Sequence, residues 1–204
     1  MVRGARGARR SAIEAGARIR VELRHGRSEL PSAGELAIRA APRRPREDLL
    51  RFAYLGWGCD LVPRLAPEHG ESERLFGLLE AWLEALEAEA PMGPPHRLAL
   101  EAKALTFAGL RPVLERCARC GQPIEAPMVF SAEAGGAAHA RCAGGLSISP
   151  AWLARVEQLR RTPLREIDAT LDVRPAWALA DFAQHQLGRA LPSREMVVSA
   201  EGPG

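Results

Sequence analysis

Cys117-Ala118-Arg119-Cys120 and His139-Ala140-Arg141-Cys142 are two ligand pairs with two residues inside each and 18 residues between them. A two-residue gap lets both side chains of a pair turn toward one ion. Cysteine and histidine are the ligands zinc favours, and four of them close a tetrahedral site. The spacing fits a paired-knuckle zinc pattern with one cysteine replaced by histidine. Gly121 follows the first pair, and Gly144 and Gly145 follow the second. Small residues there let backbone N–H groups turn toward the thiolates. Cys117, Cys120, His139 and Cys142 are therefore the expected metal ligands, and Zn²⁺ the expected cofactor. Four protein ligands leave no position for water or substrate, so the expected role is structural. The metal would close a Gly-, Ala- and Pro-rich loop at 115–146, where Met128, Val129, Phe130, Leu146 and Ile148 supply the apolar bulk.

The competing reading is a disulfide or free thiols. Three of the four cysteines lie in the cluster and Cys59 stands alone, an odd count that fits a disulfide framework poorly. The first ten residues are Arg-rich and no apolar h-region follows, so no secretory signal is expected. No run of 18 apolar residues predicts a membrane span. Cys59 falls in a helical pattern and reads as a buried small hydrophobe.

Outward from the loop, the pattern is helical on both sides. Leu49, Leu50, Ala53, Tyr54, Trp57 and Leu61 recur at three- and four-residue steps, with Pro63 as the expected stop. A second helix is predicted over 72–90, with Leu75, Leu78, Leu79, Trp82, Leu83 and Leu86 inward and a Glu-rich solvated face. Pro91 to Pro95 reads as a break, and a third helix follows over 96–109. After the loop, Ser149 as N-cap and Pro150 at the first position open a helix carrying Trp152, Leu153, Val156 and Leu159. A last helix is expected over 175–187, ending at Gly188. The tryptophans sit at core spacing.

The N-terminal part differs. Residues 1–46 hold twelve arginines against four glutamates, whereas the rest of the chain is mildly acidic within a net charge of +3. Arg18 to Arg24 alternates, with Ile19, Val21 and Leu23 on one face of a half-buried strand. His25 to Ser28 reads as a turn, and residues 35–40 as a second strand. A basic segment on an acidic body points to an anionic partner, nucleic acid first, because arginine neutralises phosphates and releases their counterions. The alternatives are a solvated Arg-rich tail or a transit-like leader. Of the five histidines, only His139 reads as a ligand; His25, His96 and His185 fit turn or helix-end positions.

Several stretches, in order, resemble the RecO-type DNA repair and recombination mediators. Gly109-Leu110-Arg111-Pro112 leading into Glu115-Arg116-Cys117-Ala118-Arg119-Cys120-Gly121 is similar to that family's zinc region. Phe130-Ser131, Gly135-Gly136, the second ligand pair and Leu146 to Pro150 continue the likeness. His185 to Arg194 resembles the family's closing helix and tail. Gly7 to Ser11, Val21-Glu22-Leu23 and Arg46 to Leu49 fall in family order. The resemblance implies an α+β chain: an incomplete N-terminal OB-like basic β segment at 1–44, then a helical C-terminal domain at 45–204 with the zinc-binding loop inserted. It implies no enzyme and no catalytic residues. The expected protein is bacterial, cytoplasmic and nucleoid-associated. It would bind and anneal single- and double-stranded DNA and assist recombinase loading with RecR and single-stranded-DNA-binding protein.

Two departures stand out. The family's third ligand is usually cysteine, and here it is His139. A five-stranded barrel also needs its first strands to close, and two strands are clear here, so about half of it is expected to be absent. The expected phosphate contacts are Arg3, Arg6, Arg9, Arg10, Arg18, Arg20 and Arg24. Residues 1–51 hold no Phe, Tyr or Trp, so base stacking is not expected there. Two other readings compete. One is a zinc-stabilised protein-binding adaptor without DNA binding. The other is a zinc nucleobase deaminase using His69-Gly70-Glu71 with the first cysteine pair, although Arg116 stands where that class has proline.

Overall fold

The computed structural model describes residues 14–24, 32–67 and 72–202. In chain order it contains β1 (Arg18–Arg24), β2 (Ser32–Ala40), α1 (Leu49–Leu65), α2 (Glu73–Glu87), α3 (Pro94–Phe107), β3 (Met128–Ser131), β4 (Gly136–His139), β5 (Leu146–Ile148), α4 (Pro150–Arg161), α5 (Ala178–Leu187) and α6 (Arg194–Glu201). Short 3-10 turns occupy Arg44–Arg46 and Leu164–Glu166. The chain is thus mixed α+β, with two small antiparallel sheets and six helices among the described residues.

α3 is the centre of the helical body. Leu98, Ala99, Leu100, Ala104 and Leu105 are fully buried on it, together with Arg97 and Glu101. A helix apolar nearly all round belongs inside, and α1, α2, α4 and α5 pack about it. Trp57 of α1 and Trp82 of α2 are fully buried. The Trp82 indole N–H donates to the Tyr54 carbonyl at 3.0 Å, which satisfies its one polar atom.

Caps follow the chain chemistry. Asp48 accepts from the Arg51 N–H at 3.0 Å to open α1. Ser149 accepts from the Trp152 N–H at 3.1 Å, with Pro150 at the first position of α4, as its sequence predicts. Several boundaries differ from expectation. α2 ends at Glu87 rather than 90, and β2 starts at Ser32 rather than 35. α1 runs through Pro63 to Leu65, because the last turn of a helix survives a proline that its interior would not. α3 starts at Pro94, so Pro94 and Pro95, read as part of the break, form its first turn, where the missing N–H has no partner to lose. α5 starts at Ala178 rather than 175. α6 was not expected at all. It spans eight residues with one buried hydrophobe, Val197, too short a run to show periodicity.

β1 and β2 pair antiparallel, with Ile19 opposite Ile38 and Val21 opposite Leu36. The half-buried strand predicted here is corrected: Leu23 is 58% and Ile38 44% exposed. The base of the hairpin reaches α2 through an Arg18–Glu80 ion pair. The turn expected at His25 lies outside the described residues, as does His69-Gly70-Glu71. Cys59 is half-buried rather than buried, packed against the core.

Candidate metal centre

The second sheet, ordered β4-β3-β5, is built from the loop between α3 and α4. β3 anchors it. Phe130 is buried, with its ring 5.4 Å from Trp152 of α4 and 5.9 Å from Phe182 of α5, both edge-on. Such pairs contribute about 0.5–1.5 kcal/mol each beyond burial. Met128 and Ile148 are buried beside it, whereas Leu146 is exposed. Gly136 lies against the segment after α3, at φ 149, where an added Cβ would sit 2.2 Å from the Val113 carbonyl oxygen. Only glycine lets the two backbones meet there.

Two knuckles hold the ligands. In the first, the Gly121 N–H donates to the Cys117 carbonyl at 2.9 Å, and Gly121 takes φ 74 to close the turn. In the second, the N–H groups of Cys142 and Ala143 both donate to the His139 carbonyl, at 2.8 and 3.2 Å. The Ala118 N–H donates to the Ala137 carbonyl at 2.8 Å and ties the first knuckle to β4. Sequence spacing and fold therefore converge: one ligand atom from each of Cys117, Cys120, His139 and Cys142 lies within 4.8 Å of all the others.

The geometry fits a tetrahedral ion. His139 Nδ1 is 3.5 Å from Cys120 Sγ and 3.7 Å from Cys142 Sγ. A zinc tetrahedron with Zn–S of about 2.3 Å and Zn–N of about 2.0 Å has N···S edges of about 3.5 Å. The other ring nitrogen, Nε2, is 3.0 Å from the Pro123 carbonyl. A carbonyl only accepts, so the proton is assigned to Nε2 and the Nδ1 lone pair faces the sulfurs. Pro123 is a supporting residue that sequence reading missed, because its contribution is a backbone oxygen.

The thiols respond to one another. Burial pushes Cys117 up, but the N–H groups of Cys120, His139 and Arg119 outweigh it and bring the thiol down to about 6. Burial, then the neighbouring Cys120 and Cys117 sulfurs, push Cys142 up. Three thiolates held this close would repel, and a divalent cation would relieve that repulsion. These four residues could hold a metal ion.

The arginines expected at the nucleic-acid interface divide. Arg3, Arg6, Arg9 and Arg10 lie outside the described residues. Arg18 is engaged by Glu80 of α2. Arg20 and Arg24 are exposed on β1. Among the described residues no helix is long and apolar enough to cross a membrane.

Comparison with known proteins agrees with this framework. The family model for the C-terminal part of recombination protein O matches residues 46–195. The DNA repair protein RecO of Anaeromyxobacter sp. strain K is 36% identical over 212 residues, covering 96% of this chain and 82% of the relative. That of Geobacter metallireducens is 37% identical over 162 residues, covering 73% of this chain and 64% of the relative. That of Myxococcus xanthus is 31% identical over 199 residues, covering 93% and 81%.

Proposed function

This chain belongs to the RecO family, and from that membership we propose that it is a DNA repair and recombination mediator of the RecF-pathway type. In this reading it binds single- and double-stranded DNA, anneals complementary strands and assists recombinase loading. RecR and single-stranded-DNA-binding protein are its protein partners, and it works in the bacterial cytoplasm at the nucleoid. Residues 1–44 are the OB-like part and 45–204 the helical domain. The observation that carries the reading is the family match across the helical body and the metal module together.

The cofactor is Zn²⁺ held by Cys117, Cys120, His139 and Cys142. When bound, it supplies crosslinking of the two knuckles. Four protein ligands fill its coordination, so no position remains for a substrate at the metal, and the reading assigns the chain no catalytic residues. The chain's own residues do the rest. Pro123 orients His139, and Phe130 transmits the order of the module to α4 and α5.

DNA contact is electrostatic. Arg20 and Arg24 meet phosphates, along with Arg3, Arg6, Arg9 and Arg10, whereas Arg18 contributes less because Glu80 holds it. The test is fluorescence anisotropy of a labelled single strand across a salt titration. Exchanging Arg20 and Arg24 for alanine should weaken binding and flatten the log–log salt slope by about 1.4, the share of two phosphate contacts. An unchanged slope contradicts this assignment of the interface. Absence of binding at low salt, from folded zinc-loaded protein, supports the protein-binding adaptor instead.

A further inference from the structure

A buried charge network joins α6 to the bundle. Arg97 of α3 and Glu101, one turn on, are both fully buried. The Arg97 Nε and Nη2 atoms donate to the two oxygens of Glu201 on α6, at 2.7 and 3.2 Å. Its Nη1 donates to Glu101 Oε1 at 2.8 Å and to the Ala176 carbonyl at 3.2 Å. The Tyr54 hydroxyl of α1 donates to Glu201 Oε1 at 2.8 Å. The guanidinium carbon lies over Trp177, 3.7 Å from the ring centroid.

Two carboxyl groups therefore share one guanidinium. Glu201 takes the bidentate pair and the tyrosine. Glu101 takes one bond, and its Oε2 is buried with no partner. The remaining charges around the site do not correct the imbalance. Asp181 of α5 is acidic and is itself paired with Arg194 of α6 at 2.6 Å. Lys103, further along α3, is turned away onto the Arg160 carbonyl at 2.7 Å. A buried carboxylate oxygen without a donor is far more costly than a neutral carboxyl oxygen in the same place.

We propose that α6 docks on the bundle with Glu101 carried as a neutral carboxylic acid, which makes α6 a proton-dependent latch that loosens as pH rises toward neutrality. Glu201 and Arg97 then form a neutral pair, and Glu101 adds no second negative charge. Release of α6 uncovers the α1 surface it packs on, and frees Asp60 from the Ser193 N–H and hydroxyl, now 3.1 and 2.8 Å away.

The direction follows from linkage. Burial raises Glu101 from 4.5 to about 7, only partly offset by Arg97. Glu201 of α6 adds to that rise, and its contribution leaves when α6 undocks. Docking and protonation of Glu101 therefore favour each other, and docking weakens as pH rises through about 7.

Hydrogen exchange on α6 amides in the full chain, corrected for the intrinsic pH dependence, tests the latch. The opening constant should rise as pH climbs toward 7, by at most about tenfold per pH unit, the limit for one proton, and then level off. In Glu101→Gln the slope should vanish, and α6 at pH 8 should be better protected than in the parent chain. A flat parent profile, or the same slope in the variant, overturns the proposal. A carboxyl ¹³C NMR titration of the parent chain decides the matter even if the variant does not fold. A glutamate with a midpoint near 7 supports the latch, and midpoints all below 5 overturn it.

Discussion

His139 is the most distinctive residue of the metal module. Its ring faces the sulfurs with Nδ1 because Pro123 engages Nε2. Zinc accepts cysteine or histidine at one position, so His139→Cys should keep one zinc per chain. Cys120→Ser should lose it, since a neutral hydroxyl is a poor ligand. Metal analysis of both purified variants checks this; equal zinc content in the two would contradict the assigned ligand set. His96 sets a separate acid limit. It is buried at the start of α3, and the Gly93 N–H lies 3.3 Å from its Nδ1. Burial pushes it down to about 4 from 6.5, against a weaker upward pull from the Gly93 backbone. Between those values the unfolded chain binds the extra proton, so stability present above pH 6.5 drains away as pH falls toward 4. Allowing for screening, the loss is about 2 kcal/mol. Urea unfolding of the parent and of His96→Gln from pH 7 to 4 should show a shallower decline in the variant.

At the scale of elements, the knuckle module depends on the helices as well as on the metal proposed for it. Phe130 is the plug that β3 sets between Trp152 and Phe182. Phe130→Ala should cost about 3–5 kcal/mol, the range for removing a buried aromatic. Thermal melting with zinc present checks it, and a change below about 1 kcal/mol would mean the module is merely tethered. The ligand spacing and the Ser149-Pro150 start of α4 were legible in the sequence because each is a local rule with a fixed offset. The helical body was legible because its leucines and tryptophans repeat at helical steps. What the sequence hid was non-local. The Arg97–Glu101–Glu201 network joins residues a hundred positions apart, and α6 is too short to declare itself. The apolar alternation of β1 was read correctly as a strand, yet alternation carries no information on what covers it, and Leu23 and Ile38 are exposed.

At the scale of the molecule, charge and metal divide the labour. In the proposed reading the arginine-rich front meets an anionic partner, and its contribution should fade with salt because counterion release drives it. In the same reading the mildly acidic helical body is left to protein partners. Strand annealing tests this division most directly. Complementary single strands mixed with the zinc-loaded chain, in low and in moderate salt, should anneal several-fold faster than alone at low salt, with the acceleration lost as salt rises. No acceleration at low salt, from protein shown to be folded and to carry one zinc, would contradict the mediator account for this chain.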